Sequence, residues 1–295
     1  MKKADIKIGF LCNNNCVFCV QGHKKQFGDI SLEVIEKNIV AGSKDCDGVV
    51  FTGGEPTIKK GIEGLVALAV KSGYKIIQMQ TNGRMFAYTE FCEKMIALGV
   101  NEFALALHGH TPELHNWLTG SDSFHQTVAG IRNLVQLKQK VMINVVVVKS
   151  NYRHLPEIAK LLVSLGVAQF QFAFVHAVGS AERNFDMVVP RMSLVMPYVK
   201  KGLDIAKHFK VAAMTEAIPF CFMTGYEEYV AENIQFDSMV YDYQMEIEDY
   251  KKYRITEGKL KGPNCNKCKH YKYCEGTWRE YPEKFGWKEF KPIKK

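Results

Sequence analysis

Six short apolar segments, each followed by an amphipathic one, constrain this chain more than any other feature. The apolar segments fall at residues 5–11, 48–52, 75–80, 102–107, 141–148 and 169–174, and helical periodicity fills the gaps near 32–41, 62–71, 90–98, 124–137 and 155–165. Strands that alternate with helices are joined by right-handed crossovers and form a parallel sheet. Runs such as Ile143-Asn144-Val145-Val146-Val147-Val148 are nearly continuously apolar, as expected where helices cover the sheet. Six such units give an incomplete ring, so the expected fold is α/β, a partial (β/α)6 TIM-like barrel. Ligands in parallel α/β folds gather at the C-terminal ends of strands, which makes the residues just after each strand candidate site positions.

The first strand end carries Cys12-Asn13-Asn14-Asn15-Cys16-Val17-Phe18-Cys19, a C-x3-C-x2-C loop. Three thiolates on one tight loop suit three corners of a [4Fe–4S] cubane and leave the fourth iron open. An open coordination position distinguishes a catalytic metal site from a closed structural one. A zinc knuckle or buried free thiols are the alternatives, although zinc loops favour paired C-x2-4-C units and these three cysteines have no such partner pair nearby. The second strand ends in Thr52-Gly53-Gly54-Glu55-Pro56-Thr57. Its two glycines let a backbone approach a ligand with no side chain in the way. Glu55 offers a charge-assisted acceptor to an ammonium group, and Pro56 stiffens the exit from the turn.

The two motifs together resemble the signature of the radical SAM superfamily, with Phe18 as the aromatic residue before the third cysteine. The resemblance implies that Cys12, Cys16 and Cys19 hold a catalytic [4Fe–4S] cluster and that its open iron binds S-adenosylmethionine. It implies that Gly53, Gly54, Glu55 and Pro56 form the motif that grips the amino group of S-adenosylmethionine. The reduced cluster would cleave that molecule to a 5′-deoxyadenosyl radical, which takes a hydrogen atom from the substrate. Later strand ends, with Asn82, His108 and Ser150, would contact its ribose and adenine; Asn82 and Asn151 read equally well as caps or turn formers, and His108 as a satisfied polar group. An electron donor such as flavodoxin or ferredoxin is implied as a partner.

After Ala181 the alternation is expected to stop, dividing the chain into residues 1–181, the barrel, and 182–295, a small cysteine-rich C-terminal extension. In the latter, Cys265, Cys268 and Cys274 are spaced C-x2-C-x5-C, and Cys221 stands alone upstream. These four thiolates are enough for one further cluster. The pattern resembles the SPASM or twitch extension of radical SAM enzymes, whose fuller form has a cysteine where this chain has Trp278. The resemblance therefore implies one auxiliary [4Fe–4S] cluster, two clusters in all. A zinc site of Cys265, Cys268, Cys274 and either His270 or Cys221 remains open. Cys46 and Cys92 read as small buried hydrophobes.

Composition fits a cytoplasmic enzyme. The chain has 295 residues, 47% of them hydrophobic, and no apolar run of about 18 residues that would cross a membrane. It opens Met1-Lys2-Lys3-Ala4-Asp5 with no room for a signal peptide. Six of nine cysteines lie in two metal-like groups, which suits a reducing compartment. The net charge of +8 is spread along the chain; it favours an anionic partner only weakly, and a nucleic acid is left open but not favoured, since no recognisable nucleic-acid module accompanies it. The expected substrate is a small molecule, such as a nucleotide, sugar or cofactor precursor, because no extra N-terminal domain is present to grip a leader peptide. A ribosomally made peptide and transfer RNA are the alternatives. A non-enzymatic iron–sulfur or zinc-binding protein is the reading from another class, and the Gly-Gly-Glu turn speaks against it.

Overall fold

The computed structural model describes residues 2–233, 237–243 and 245–294. Met1, residues 234–236 and 244 of the tyrosine-rich acidic stretch, and Lys295 lie outside them.

The six expected strands are present as β1 (Lys2–Lys7), β2 (Gly48–Thr52), β3 (Ile76–Thr81), β4 (Glu102–Ala106), β5 (Val141–Val147) and β6 (Gln169–Phe174). Each pairs in parallel with the next. Between them lie α1 (Leu32–Gly42), α2 (Ile62–Lys71), α3 (Thr89–Leu98), α4 (Pro112–Thr119), α5 (Phe124–Gln136) and α6 (Leu155–Ser164). The first strand differs from expectation. It starts at Lys2 and ends at Lys7, because Gly9, at φ +150°, turns the chain out of the ladder toward Asp29. The helix α4 was not expected. Thr111 caps it by accepting from the Leu114 N–H, Pro112 occupies its first turn and Gly120 ends it in the left-handed region.

The alternation does not stop at Ala181. Two one-turn helices, α7 (Ser180–Arg183) and α8 (Phe185–Val188), lead to the long helix α9 (Met192–Phe209) and then to β7 (Ala212–Glu216). The strand β7 pairs in parallel with β6. On the other side β8 (Asp237–Tyr241) pairs in parallel with β1, and β9 (Glu246–Ile247) adds antiparallel to β8. Among the described residues the sheet runs β7-β6-β5-β4-β3-β2-β1-β8-β9, and the outer side of β7 makes a single bridge from Thr215 to Val230. It is a partial TIM-like barrel with more strands than the six expected. The rest of the chain contributes α10 (Tyr250–Tyr253), a two-stranded ribbon of β10 (Lys259–Leu260) and β11 (Thr277–Trp278), and α11 (Glu280–Phe285).

The strands have two different faces. Ile77, Met79, Phe103, Leu105, Ile143, Val145, Phe170 and Phe172 are buried beneath the helices. Burial of such a side chain is worth about 1.5–3 kcal/mol. Their neighbours along the chain turn inward and are largely polar: Asp5, Lys7, Gln78, Gln80, Gln169 and Gln171 line the inside of the barrel. The lumen is therefore an open chamber with polar walls rather than a packed core. Among the described residues no helix is long and apolar enough to cross a membrane.

Candidate active site

The cysteine loop is built by three supports. From α4, the carbonyls of Thr119 and Leu118 accept from Asn15 N at 2.8 Å and Val17 N at 3.1 Å. From the β3 end, Arg84 donates to the Asn13 carbonyl at 2.6 Å and to Asn14 Oδ1 at 3.1 Å. From the segment after β6, Ser180 N donates to the Cys19 carbonyl at 2.9 Å, and Asn184 Nδ2 to that of Val17 at 2.8 Å. The Gly-Gly turn locks onto the strand leading into the loop. Gly54 N reaches the Gly9 carbonyl at 2.7 Å and Glu55 N the Leu11 carbonyl at 2.8 Å. Gly53, at φ +115°, and Gly54 are glycines for this reason, since a Cβ would sit 2.3 Å from Gly9 O or 2.0 Å from Leu11 O.

Cys12, Cys16 and Cys19 line one cavity of about 220 Å³ together with Gly53, Gly54 and Glu55. Asn82 and His108 line it too. Burial pushes all three thiols up, Cys16 the furthest, and Lys25 pulls each the other way. One lysine is a poor match for three thiolates, whereas a cationic metal centre in their midst would favour the deprotonated form. Among the described residues no three His, Cys, Asp or Glu side chains converge on a point that would hold a single ion. A cubane makes a different demand, since each thiolate binds its own iron. All nine cysteines are free thiols, and Cys46 and Cys92 are buried as expected.

Glu55 is buried and held by four donors. Its Oε1 accepts from Thr57 N at 3.0 Å and from the Thr57 and Thr81 hydroxyls, each at 2.6 Å, while Oε2 accepts from Asn82 N at 2.7 Å. Burial pushes its carboxyl up and these hydrogen bonds oppose the shift. Its Oε2 retains acceptor capacity toward the cavity. Pro56 is buried at the start of the following turn and fixes Glu55 as the cap. Phe18 meets the His108 ring edge-on, with centroids 4.8 Å apart. His108 is held neutral, its pKa lowered to about 3 by burial, and its Nδ1 accepts from Val146 N at 3.2 Å. Asn82 uses its amide on Asn13 Oδ1 at 2.6 Å and on Arg84 N at 3.1 Å, so it shapes the turn as well as lining the cavity. Ser150 stands apart. Its buried Oγ has no partner among the described residues, and the neighbouring Asn151 instead ties Val148 N to the carbonyls of His108 and Val146.

A larger chamber of about 530 Å³ adjoins the first and shares Lys7, Cys16, Cys19, Gly53 and Gln80 with it. It is the barrel lumen, with Phe18, Glu216, Tyr250, His176 and Trp278 among its walls. His176 lies just past β6, among the strand-end positions expected to line the site, whereas Glu216, Tyr250, Trp278 and the inward glutamines were not anticipated as site residues. The signal was present in the strict alternation of Lys3-Ala4-Asp5-Ile6-Lys7 and Gln169-Phe170-Gln171-Phe172, which marks two-faced strands.

In the C-terminal part, Cys221, Cys265, Cys268 and Cys274 line one mostly apolar pocket. The Cys221 thiol is pushed up to about 12, first by burial and then by the other three sulfurs. Two backbone N–H groups already point at sulfur, Gly262 to Cys265 at 3.1 Å and Gly276 to Cys274 at 3.4 Å. His270 does not line the pocket; its ring stacks on Phe220 at 4.6 Å. The residue after Cys274, Glu275, is buried between Arg254 and Lys259 at 2.6 and 2.7 Å, and Lys259 also meets Glu232 at 2.8 Å. Trp278 faces away from the cysteines and stacks on His176 at 3.8 Å, nearly parallel.

The comparisons with known proteins agree with this geometry. The Radical SAM superfamily matches residues 6–162. A probable GTP 3',8-cyclase of Saccharolobus islandicus is 28% identical over 183 residues, 61% of this chain and 59% of that protein. A probable GTP 3',8-cyclase of Sulfurisphaera tokodaii is 24% identical over 184 residues, 61% and 58% of the two chains. The chain thus spans less than two thirds of the length of these curated relatives. Streptococcus suis SuiB, in a structure bound to S-adenosylmethionine, superposes with a TM-score of 0.68 at 16% identity, covering 99% of this chain and 76% of that one. Native anSMEcpe with bound AdoMet gives 0.68 at 17% identity, covering 98% and 96%. At such identities these two show the fold alone.

Proposed function

The chain belongs to the radical SAM superfamily, and on that premise we propose that it abstracts a hydrogen atom from a polar substrate seated in the barrel lumen. It is an enzyme that uses S-adenosylmethionine and a [4Fe–4S] cluster. The observation that carries the proposal is the joint placement of the three loop thiols and the Gly-Gly-Glu turn around one cavity that adjoins the lumen. When bound, the cluster supplies the electron that cleaves the sulfonium of S-adenosylmethionine. Cys12, Cys16 and Cys19 are the residues to hold it. The backbone of Gly53 and Gly54 and the remaining acceptor capacity of Glu55 Oε2 would take the amino group, while His108, kept neutral, adds no competing charge. The four thiols of Cys221, Cys265, Cys268 and Cys274 suit a second cluster, which would take up an electron or position substrate. The names of the relatives suggest a nucleotide substrate, but those proteins extend well beyond the region matched here.

The test is anaerobic reconstitution, reduction with dithionite and addition of S-adenosylmethionine, with 5′-deoxyadenosine measured by chromatography. Wild-type protein releases it, and Cys16→Ala does not. Release by the Cys16→Ala variant, or none from wild-type protein that carries a cubane, would overturn the assignment.

A further inference from the structure

The charge and hydrogen-bond inventory of the lumen narrows the substrate. Among the described residues lining it, Lys7 is the one cation, and Asp5 already pairs with it at 3.0 Å. Glu216 adds a second carboxylate. The cations behind Glu216, Arg254 and Lys259, are each engaged with Glu275. A triphosphate would bring several negative charges into a chamber with no spare cation to meet them, at a large desolvation cost. The polar walls consist chiefly of carboxamides. Gln80 and Gln169 make no side-chain hydrogen bond with any described residue, so each offers both a donor and an acceptor to the lumen.

Glu216 ends β7, at the C-terminal rim of the barrel where ligand-binding side chains gather. Its Oε2 accepts from Gln171 Nε2 at 2.9 Å, and Gln171 Nε2 in turn reaches Asn144 Oδ1 at 3.2 Å. This pairing fixes the carboxylate plane. Its Oε1 has no donor among the described residues and is not sealed from the chamber. A carboxylate oxygen open to the chamber is available to an N–H that a ligand brings.

We propose that the lumen takes a phosphate-free substrate that presents an amide-type N–H to Glu216 Oε1, with the free carboxamides of Gln80 and Gln169 open to its other polar groups. The inference rests on the radical SAM reading of the site and deepens it. Peptide groups and the lactam edge of a nucleobase share this chemistry. Glu216 is a binding group here, and no proton or electron transfer is assigned to it.

The experiment is calorimetric titration of the reconstituted full chain, loaded with S-adenosylmethionine, with three probes: guanosine, GTP and a capped triglycine amide. Guanosine or the triglycine amide is expected to bind saturably, the first marking a nucleoside source and the second a peptide one. GTP is expected to bind at least about tenfold more weakly than guanosine, or not at all. Glu216→Gln should weaken the bound probe by about tenfold or more, the scale of one charge-assisted hydrogen bond. Glu216→Asp, which keeps the charge, should retain more of the affinity and so separates loss of the acceptor from loss of fold. GTP binding as tightly as guanosine, no binding by either phosphate-free probe, or a Glu216→Gln variant with unchanged affinity would each overturn the proposal. Failure of the underlying reading is seen separately, as absence of 5′-deoxyadenosine from the same wild-type preparation.

Discussion

Gly54 offers the sharpest test of how the two motif loops hold each other. In Gly54→Ala the added Cβ would lie 2.0 Å from the Leu11 carbonyl oxygen and 2.7 Å from its carbon. Neither neighbour is a flexible side chain, so the Gly-Gly turn must move away from the segment that leads into Cys12. That movement breaks the bonds from Gly54 N to Gly9 O at 2.7 Å and from Glu55 N to Leu11 O at 2.8 Å. Two backbone hydrogen bonds at about 1 kcal/mol each, with about 1–3 kcal/mol of overpacking, predict a loss of about 3–5 kcal/mol. Urea denaturation of the metal-free protein reads that loss directly. Iron content after anaerobic reconstitution should fall with it, because the displaced segment carries the first ligand. Gly64 is the control. It lies inside α2 with nothing within 4 Å of a built Cβ, so Gly64→Ala should stabilise by about 0.5–1 kcal/mol through helix propensity alone. A Gly54→Ala protein within about 1 kcal/mol of wild type, with full iron, would refute the argument that these glycines exist for backbone contact.

Three other outcomes follow from the geometry. Cys221→Ala should lower iron and acid-labile sulfide from about eight to about four of each per chain if the four C-terminal thiols hold a cubane; zinc in place of the missing iron would assign the pocket to that metal. Glu275→Ala strips Arg254 and Lys259 of a buried carboxylate and should cost about 3–5 kcal/mol in urea denaturation, so a change under about 1 kcal/mol would mean that the network contributes little. His108 and His115 are held down to about 3 and about 4 by burial. Their unfolded forms titrate near 6.5, so below that pH the unfolded chain binds more protons and stability falls as pH drops. Each histidine contributes about 1.4 kcal/mol per pH unit over that window; the urea midpoint should fall between pH 7 and 5, and His115→Gln should flatten part of the slope.

The central strands were legible because a covered parallel sheet demands apolar segments, and residues 48–52 and 141–148 supply them plainly. The edges were not. β7 reads Ala-Ala-Met-Thr-Glu, half exposed and without a hydrophobic run, and only its pairing with β6 makes it a strand. The helix α4 announces itself through Thr111-Pro112, yet nothing in the sequence alone says that its end carries the cysteine loop. For the site, thiol spacing and the Gly-Gly-Glu turn are local signals and could be read. Glu216 and Trp278 could not, because what gives them meaning is a lumen assembled from strands far apart in the chain. Ser150 shows how loose a strand-end position is as a guide: it follows β5, yet it is not among the residues that line either cavity.

The two-residue strand β11 separates the thiol pocket from the lumen. Thr277 belongs to one chamber and Trp278 to the other. A partition of that thickness has no slack. Slipping it forward by a single position would put the Trp278 indole in the place of the Thr277 hydroxyl and Arg279 in the place of the indole, so neither compartment can be remodelled independently of the other.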